Sequence, residues 1–132
     1  MHDSLAAGHA IHLDRVETVA DGLGPPMAGV LNHAILTEYA QGVVLVDDGE
    51  IIAALALILE RTKLLVEPSG AAGLAAMLAG RIPVDPDRPV VIVLSGGNAD
   101  LGQLASLLAQ YTGSSQDLSA TSPSNTNLSS SD

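Results

Sequence analysis

Val90–Leu94 is an unbroken run of β-branched and aliphatic residues that stops at Ser95-Gly96-Gly97-Asn98, and a helical pattern resumes near Leu101. A strand that is apolar at every position has no face to give to water, so it reads as covered on both sides, as in a parallel sheet. The expected class is therefore α/β, a parallel sheet flanked by helices. In open sheets of this kind ligands bind beyond the carboxyl ends of the strands. Two glycines there let backbone approach a ligand closely, while Ser95 and Asn98 add polar tips. The turn matches neither the dinucleotide fingerprint nor the P-loop. A phosphate cradle and a plain strand-to-helix turn are both compatible with it.

The rest of the chain punctuates itself with turn residues. Residues 2–9 read as a short helix ended by Gly8, and Ile11–Val16 as weakly strand-like. His9 and His12 lie three apart with no third ligand at suitable spacing, so they read as surface histidines and no metal site is expected. Ala20-Asp21-Gly22 turns the chain before Gly24-Pro25-Pro26, which blocks regular structure. Ala28–Ala40 carries a helical apolar stripe, and His33 on it reads as a surface or capping group. Gly42–Val46 reads as a short buried strand. Asp47-Asp48-Gly49-Glu50 supplies an N-cap and first-turn acids for a helix over Glu50–Thr62, apolar almost all round and closed by Arg61 and Lys63. Leu64–Val66 is extended, Ser69 reads as the N-cap of a helix over Gly70–Leu78, and Gly80 stops that helix. Arg81–Arg88 is a loop. Residues 113–132 read as a disordered Ser-rich tail, in which Asn127-Leu128-Ser129 fits a glycosylation sequon.

Composition excludes several function classes. Fifteen acidic residues against five basic ones give a net charge of −10, which leaves no basic footprint for nucleic acid or anionic membrane. Without cysteine there are no disulfides and no thiolate metal sites. MHDSLAAGHA lacks the regions of a signal peptide, and no apolar run approaches the ~20 residues that span a bilayer, so a cytoplasmic protein is expected. Apolar residues make up 47%, with no Phe or Trp. Small aliphatic side chains must fill the core, and a marginal core follows for a chain folding alone.

Three stretches then stand in order: Glu17–Leu23 (ETVADGL), Glu60–Ala71 (ERTKLLVEPSGA) and Val90–Asp100 (VVIVLSGGNAD). Together they resemble the carboxyl-terminal part of the pyridoxal-phosphate enzymes of the threonine dehydratase and serine racemase family, over roughly residues 1–111. The resemblance implies a partial fold type II sheet, similar to the tryptophan synthase β subunit, with pyridoxal 5′-phosphate as cofactor. By the same resemblance Ser95 hydrogen-bonds the pyridine nitrogen. Gly22 lies against the ring with Asp21 toward the substrate. Glu67 sits near the ring edge, and Gly96 and Gly97 shape the pocket. Asn98 either orients the turn and serves a neighbouring effector site, or is a side-chain-capped turn residue. Lys63 matches a position that contacts nucleotide in the serine racemase branch, although a helix-end lysine explains itself.

The departures from that family pattern are as informative. The Ser-x-Lys-x-Arg-Gly stretch with the Schiff-base lysine, the glycine run for the cofactor phosphate, the divalent-cation segment and the regulatory domain all lack a counterpart. Lys63, the single lysine, lies in the wrong segment for that role. The chain is thus expected to be the carboxyl-terminal portion of a catalytic domain, without a catalytic residue of its own. It would need the missing part of the fold or a homo-oligomer. The complete enzyme would deaminate L-threonine to 2-oxobutyrate and ammonia, with L-serine as a lesser substrate. Serine racemase or serine dehydratase is the alternative within the family. A non-catalytic small-molecule-binding or subunit-association module, or a truncation without independent function, are the alternatives outside it.

Overall fold

The computed structural model describes residues 1–119, with side chains to Tyr111. Five helices follow in order: α1 (His2–Ala7), α2 (Val30–Tyr39), α3 (Asp48–Thr62), α4 (Pro68–Leu78) and α5 (Leu101–Ser119), with a 3-10 turn at Asp21–Leu23. The core forms where α3 packs on α4 and α5. Ile51, Ala54, Leu55 and Ile58 of α3 meet Ala71 and Ala75 of α4, Leu104 of α5, and Ala20 and Val66 from the connections. Alanine on α4 lets the helix axes approach, so a core without aromatic rings still excludes water at Leu55, 2% exposed.

Each helix of this core has a legible start or stop. Asp47 caps α3: its carboxylate accepts from the Glu50 N–H at 2.8 Å, while the Glu50 carboxylate accepts from the Asp47 N–H at 2.9 Å. That reciprocal pair satisfies two N-terminal donors at once. Glu50 also accepts from Arg81 at 2.5 Å, which pins the end of α4 to the start of α3. The hydrogen bond from Arg81 holds the Glu50 carboxyl below its ordinary value. Gly80, at φ 66°, closes α4: Gly80 N–H donates to Met77 and Arg81 N–H to Ala76, a Schellman pair. Lys63 closes α3 in the left-handed region at φ 63°, its ammonium donating to the Glu60 carbonyl at 2.6 Å.

Several expectations are corrected. Helix α4 begins at Pro68 with Glu67 as N-cap, not at Gly70 with Ser69 as cap. Proline suits the first helical position because its missing N–H has no partner to lose there. Residues 43–46, 64–66 and 90–94 occupy the expected places, but among the described residues they form no β-ladder, and the one bridge joins His12 to Met27. The 42–46 stretch is not buried, with Val44 at 45% and Leu45 at 61% exposure. Nor is the 90–94 run covered twice: Ile92 and Leu94 turn inward, while Val91 and Val93 stand 84% and 76% exposed. Parallel strands are set by neighbours remote in sequence, and here the neighbours on the outer side are absent from the described residues. The backbone of α5 also continues through 113–119, part of the expected tail. The glycosylation sequon lies outside the described residues.

Helix α1 packs on α2, with the His33 ring nitrogen donating to the Ser4 carbonyl at 2.9 Å. His33 is therefore a tie between helices. His9 and His12 are exposed, and the His9 ring donates to the Ala7 carbonyl. No buried residue belongs to α2, whose Val30, Leu31 and Tyr39 are each more than 70% exposed.

Candidate functional site

The first turn of α4 is where the separated motifs meet. The chain enters it through Leu65-Val66-Glu67, which runs beside the Ser95–Gly97 turn: Glu67 N–H donates to the Gly96 carbonyl at 3.1 Å. Gly96 is left-handed at φ 79°, and a Cβ there would collide with the Glu67 carboxylate. A Cβ on Gly70 would fall on the Ser95 carbonyl oxygen. Gly70 is thus required by close approach to backbone and Gly96 by its left-handed conformation, and together they seat the Ser95 turn against the start of α4. A Cβ on Gly97 would meet the Leu65 carbonyl at 3.4 Å, ordinary contact.

From the other side comes the Asp21–Leu23 turn. Gly22 N–H donates to the Ser69 hydroxyl at 2.9 Å, and a Cβ on Gly22 would lie 2.7 Å from that oxygen and 3.4 Å from the Glu67 carboxylate. A cavity of about 110 Å³ opens between these pieces, with Asp21, Gly22, Glu67, Ser69, Asn98 and Asp100 on its polar side. Leu104 and Leu107 of α5 form its apolar wall. Asp100 caps α5, accepting from the Gln103 N–H at 2.8 Å.

Gly22, Glu67, Asp21 and Asn98 thus share one cavity wall. Ser95, Gly96 and Gly97 sit on the exposed turn beside it, with the Ser95 side chain open to solvent. Lys63 does not join them; it is committed to the end of α3. Three residues escaped the sequence reading. Ser69 looked like a cap but serves Gly22 instead. Gly70 hid in a run of small residues. Asp100 carried a legible N-cap signal, an Asp immediately before an apolar helix.

The electrostatics decide what such a wall can hold. Asp21, Glu67 and Asp100 face the cavity without a Lys or Arg among its lining residues, so an anion is disfavoured there. The amino-terminal ends of α4 and α5 offset part of that charge. A neutral aromatic edge, a hydroxyl or an ammonium suits the wall, and a phosphate does not. At about 110 Å³ it also falls short of the ~300 Å³ at which ligand pockets begin. It is one side of a site.

The family model described as pyridoxal-phosphate dependent enzyme matches residues 1–96. The chain is 43% identical over 100 residues to the L-threonine ammonia-lyase of Geobacter sulfurreducens, covering 76% of this chain and 25% of that protein. It is 41% identical over 105 residues to the serine racemase of Arabidopsis thaliana, covering 76% of this chain and 31% of that protein. The solved threonine deaminase of T.th. superimposes with a TM-score of 0.68 at 36% identity, over 76% of this chain and 33% of that one. The fold is that of fold type II pyridoxal-phosphate enzymes. The chain spans between a quarter and a third of the length of the curated relatives it matches.

Proposed function

Since the chain belongs to the pyridoxal-phosphate dependent enzyme family, we propose that it supplies the ring-nitrogen wall of an active site resembling that of the threonine ammonia-lyases. The observation that carries this is the convergence of Gly22, Glu67 and the Ser95-Gly96 turn, from three separate stretches, on the first turn of α4. These residues fit one end of the cofactor: a glycine with no side chain to obstruct a flat ring, and a hydroxyl beside it. They do not fit the phosphate end. Lysine and a phosphate-binding loop would come from polypeptide outside this chain, and the exposed Val91, Val93 and α2 face are where it would pack.

Bound pyridoxal phosphate supplies the electron sink for chemistry at the amino-acid Cα. This chain's residues set how strong that sink is. The Ser95 hydroxyl would donate to an unprotonated ring nitrogen, whereas an aspartate there would keep the nitrogen protonated. A weaker sink would favour loss of the β-hydroxyl of threonine or serine over other outcomes at Cα. Gly22 would leave one ring face clear. Asp21, beside it on the cavity wall, would attract the substrate ammonium group. The 41% identity to a serine racemase supports a second reading within the family, interconversion of serine enantiomers.

A chimera tests both. Residues 1–111 replace the matching segment of the Geobacter L-threonine ammonia-lyase, and the product is assayed for cofactor absorbance, ammonia release from threonine and serine, and D-serine. Cofactor binding with ammonia release, abolished by Ser95→Asp, is expected. A folded, cofactor-bearing chimera inactive on both substrates overturns the proposal. So does a stoichiometric adduct at Lys63 after borohydride reduction of the chain alone, accompanied by ammonia release.

A further inference from the structure

We infer that Ser69 is a positioning residue that holds Gly22 in register with Ser95; this rests on the reading above. The segment carrying Gly22 is a strap pinned at both ends by first-turn side chains of two helices. At one end the Asp48 carboxylate of α3 accepts from the Thr18 hydroxyl at 2.7 Å and from the Val19 N–H at 3.2 Å. Between the pins Ala20 is wholly buried in the core. At the other end the Ser69 hydroxyl of α4 accepts from Gly22 N–H, across 47 residues of sequence.

A serine in a helix's first turn ordinarily serves that helix's own orphan donors. Ser69 does not act as the cap, because Glu67 occupies the N-cap position. Its hydroxyl therefore has its structural work elsewhere, on the strap. The next residue, Gly70, receives the Ser95 carbonyl. Two consecutive residues of α4 thus set both sides of the ring wall, Gly22 through a hydrogen bond and Ser95 through an absent side chain. If the hydroxyl is lost, Gly22 is released while Ser95 stays. The wall then widens on one side only.

The test uses the whole chain labelled with nitrogen-15, as wild type, Ser69→Ala and Ser69→Thr, without cofactor. Gly22 amide exchange should quicken about fivefold in Ser69→Ala, or ~1 kcal/mol at 1.4 kcal/mol per decade. The melting temperature should fall by no more than the ~4–8 °C that such a loss implies, the Ser95 and Gly96 amide shifts should hold, and Ser69→Thr, which keeps the hydroxyl, should restore the slow exchange. Unchanged Gly22 exchange in Ser69→Ala overturns the inference. An equal change in both variants also overturns it, since side-chain volume and not the hydroxyl would then matter. Placed in the chimera, Ser69→Ala should weaken cofactor binding severalfold, again with rescue by Ser69→Thr. The exchange arm contains no cofactor, so an inactive chimera refutes the functional reading and leaves the strap standing.

Discussion

Replacing Gly70 by alanine puts a methyl group onto the Ser95 carbonyl oxygen, deep inside contact distance. Gly70 is buried and sits in the first turn of α4, so neither backbone can step aside without disturbing the other. Overpacking of this kind costs ~1–3 kcal/mol. Against it stands the better helix propensity of alanine, up to ~1 kcal/mol in a helix interior and less in a first turn. The net expectation is a loss of about 1–2 kcal/mol, which at ~4–8 °C per kcal/mol for a domain of this size lowers the melting temperature by roughly 5–15 °C. Gly73→Ala is the matched control. It lies on the same helix, but its Cβ would meet only the Ile92 methyl, at 3.3 Å, and the position is exposed. There the propensity gain should offset the crowding, leaving stability level or up to ~1 kcal/mol higher. Urea titrations followed by far-ultraviolet circular dichroism give both numbers. If Gly70→Ala proves as stable as Gly73→Ala, the Ser95 turn is not seated on α4, and the architecture of the wall fails with it.

Removing the α3 cap with Asp47→Ala should cost ~1 kcal/mol by urea midpoint, and Asp47→Asn should recover most of it. The Glu50 carboxyl is held below 4.5 by the Arg81 hydrogen bond, so its contribution is complete above pH 4.5 and is lost as pH falls through the lower folded-state value. Arg81→Ala should therefore flatten the acid limb of the stability profile. Arg81 itself is raised and stays charged throughout that window. Leu55→Ala, at a site 2% exposed, should cost ~2–5 kcal/mol. In so small a core the expected result is loss of a cooperative urea transition.

Local signals carried the helices. Asp47 and Glu50 announce α3 because a reciprocal cap lies within four residues, and Gly80 announces the end of α4 because only a left-handed residue turns the chain there. The start of α4 was misread for an instructive reason. Ser69 has the side chain of a cap, but its partner is Gly22, far off in sequence, and nothing local discloses that use. Val91 and Val93 show the same limit in reverse. Their apolar run tells what the segment requires on each face, but whether anything meets that need is settled by remote polypeptide. The grouping of Gly22, Glu67 and Ser95 came from motif resemblance and not from periodicity. Gly70 was readable only as small, because the group that needs its missing side chain belongs to another segment.

The left-handed cap at Lys63 has a chemical corollary. A non-glycine residue in that region carries a strain of ~1 kcal/mol, so Lys63→Gly should be tolerated or slightly stabilising despite the loss of its bond to the Glu60 carbonyl. It also removes the one side-chain amine in these 132 residues. What remains over these 132 residues is a polypeptide without lysine, so no side chain of it can form a carbonyl adduct through an ε-amine. Any lysine adduct formed in a reconstituted assembly would then be traceable to the partner polypeptide.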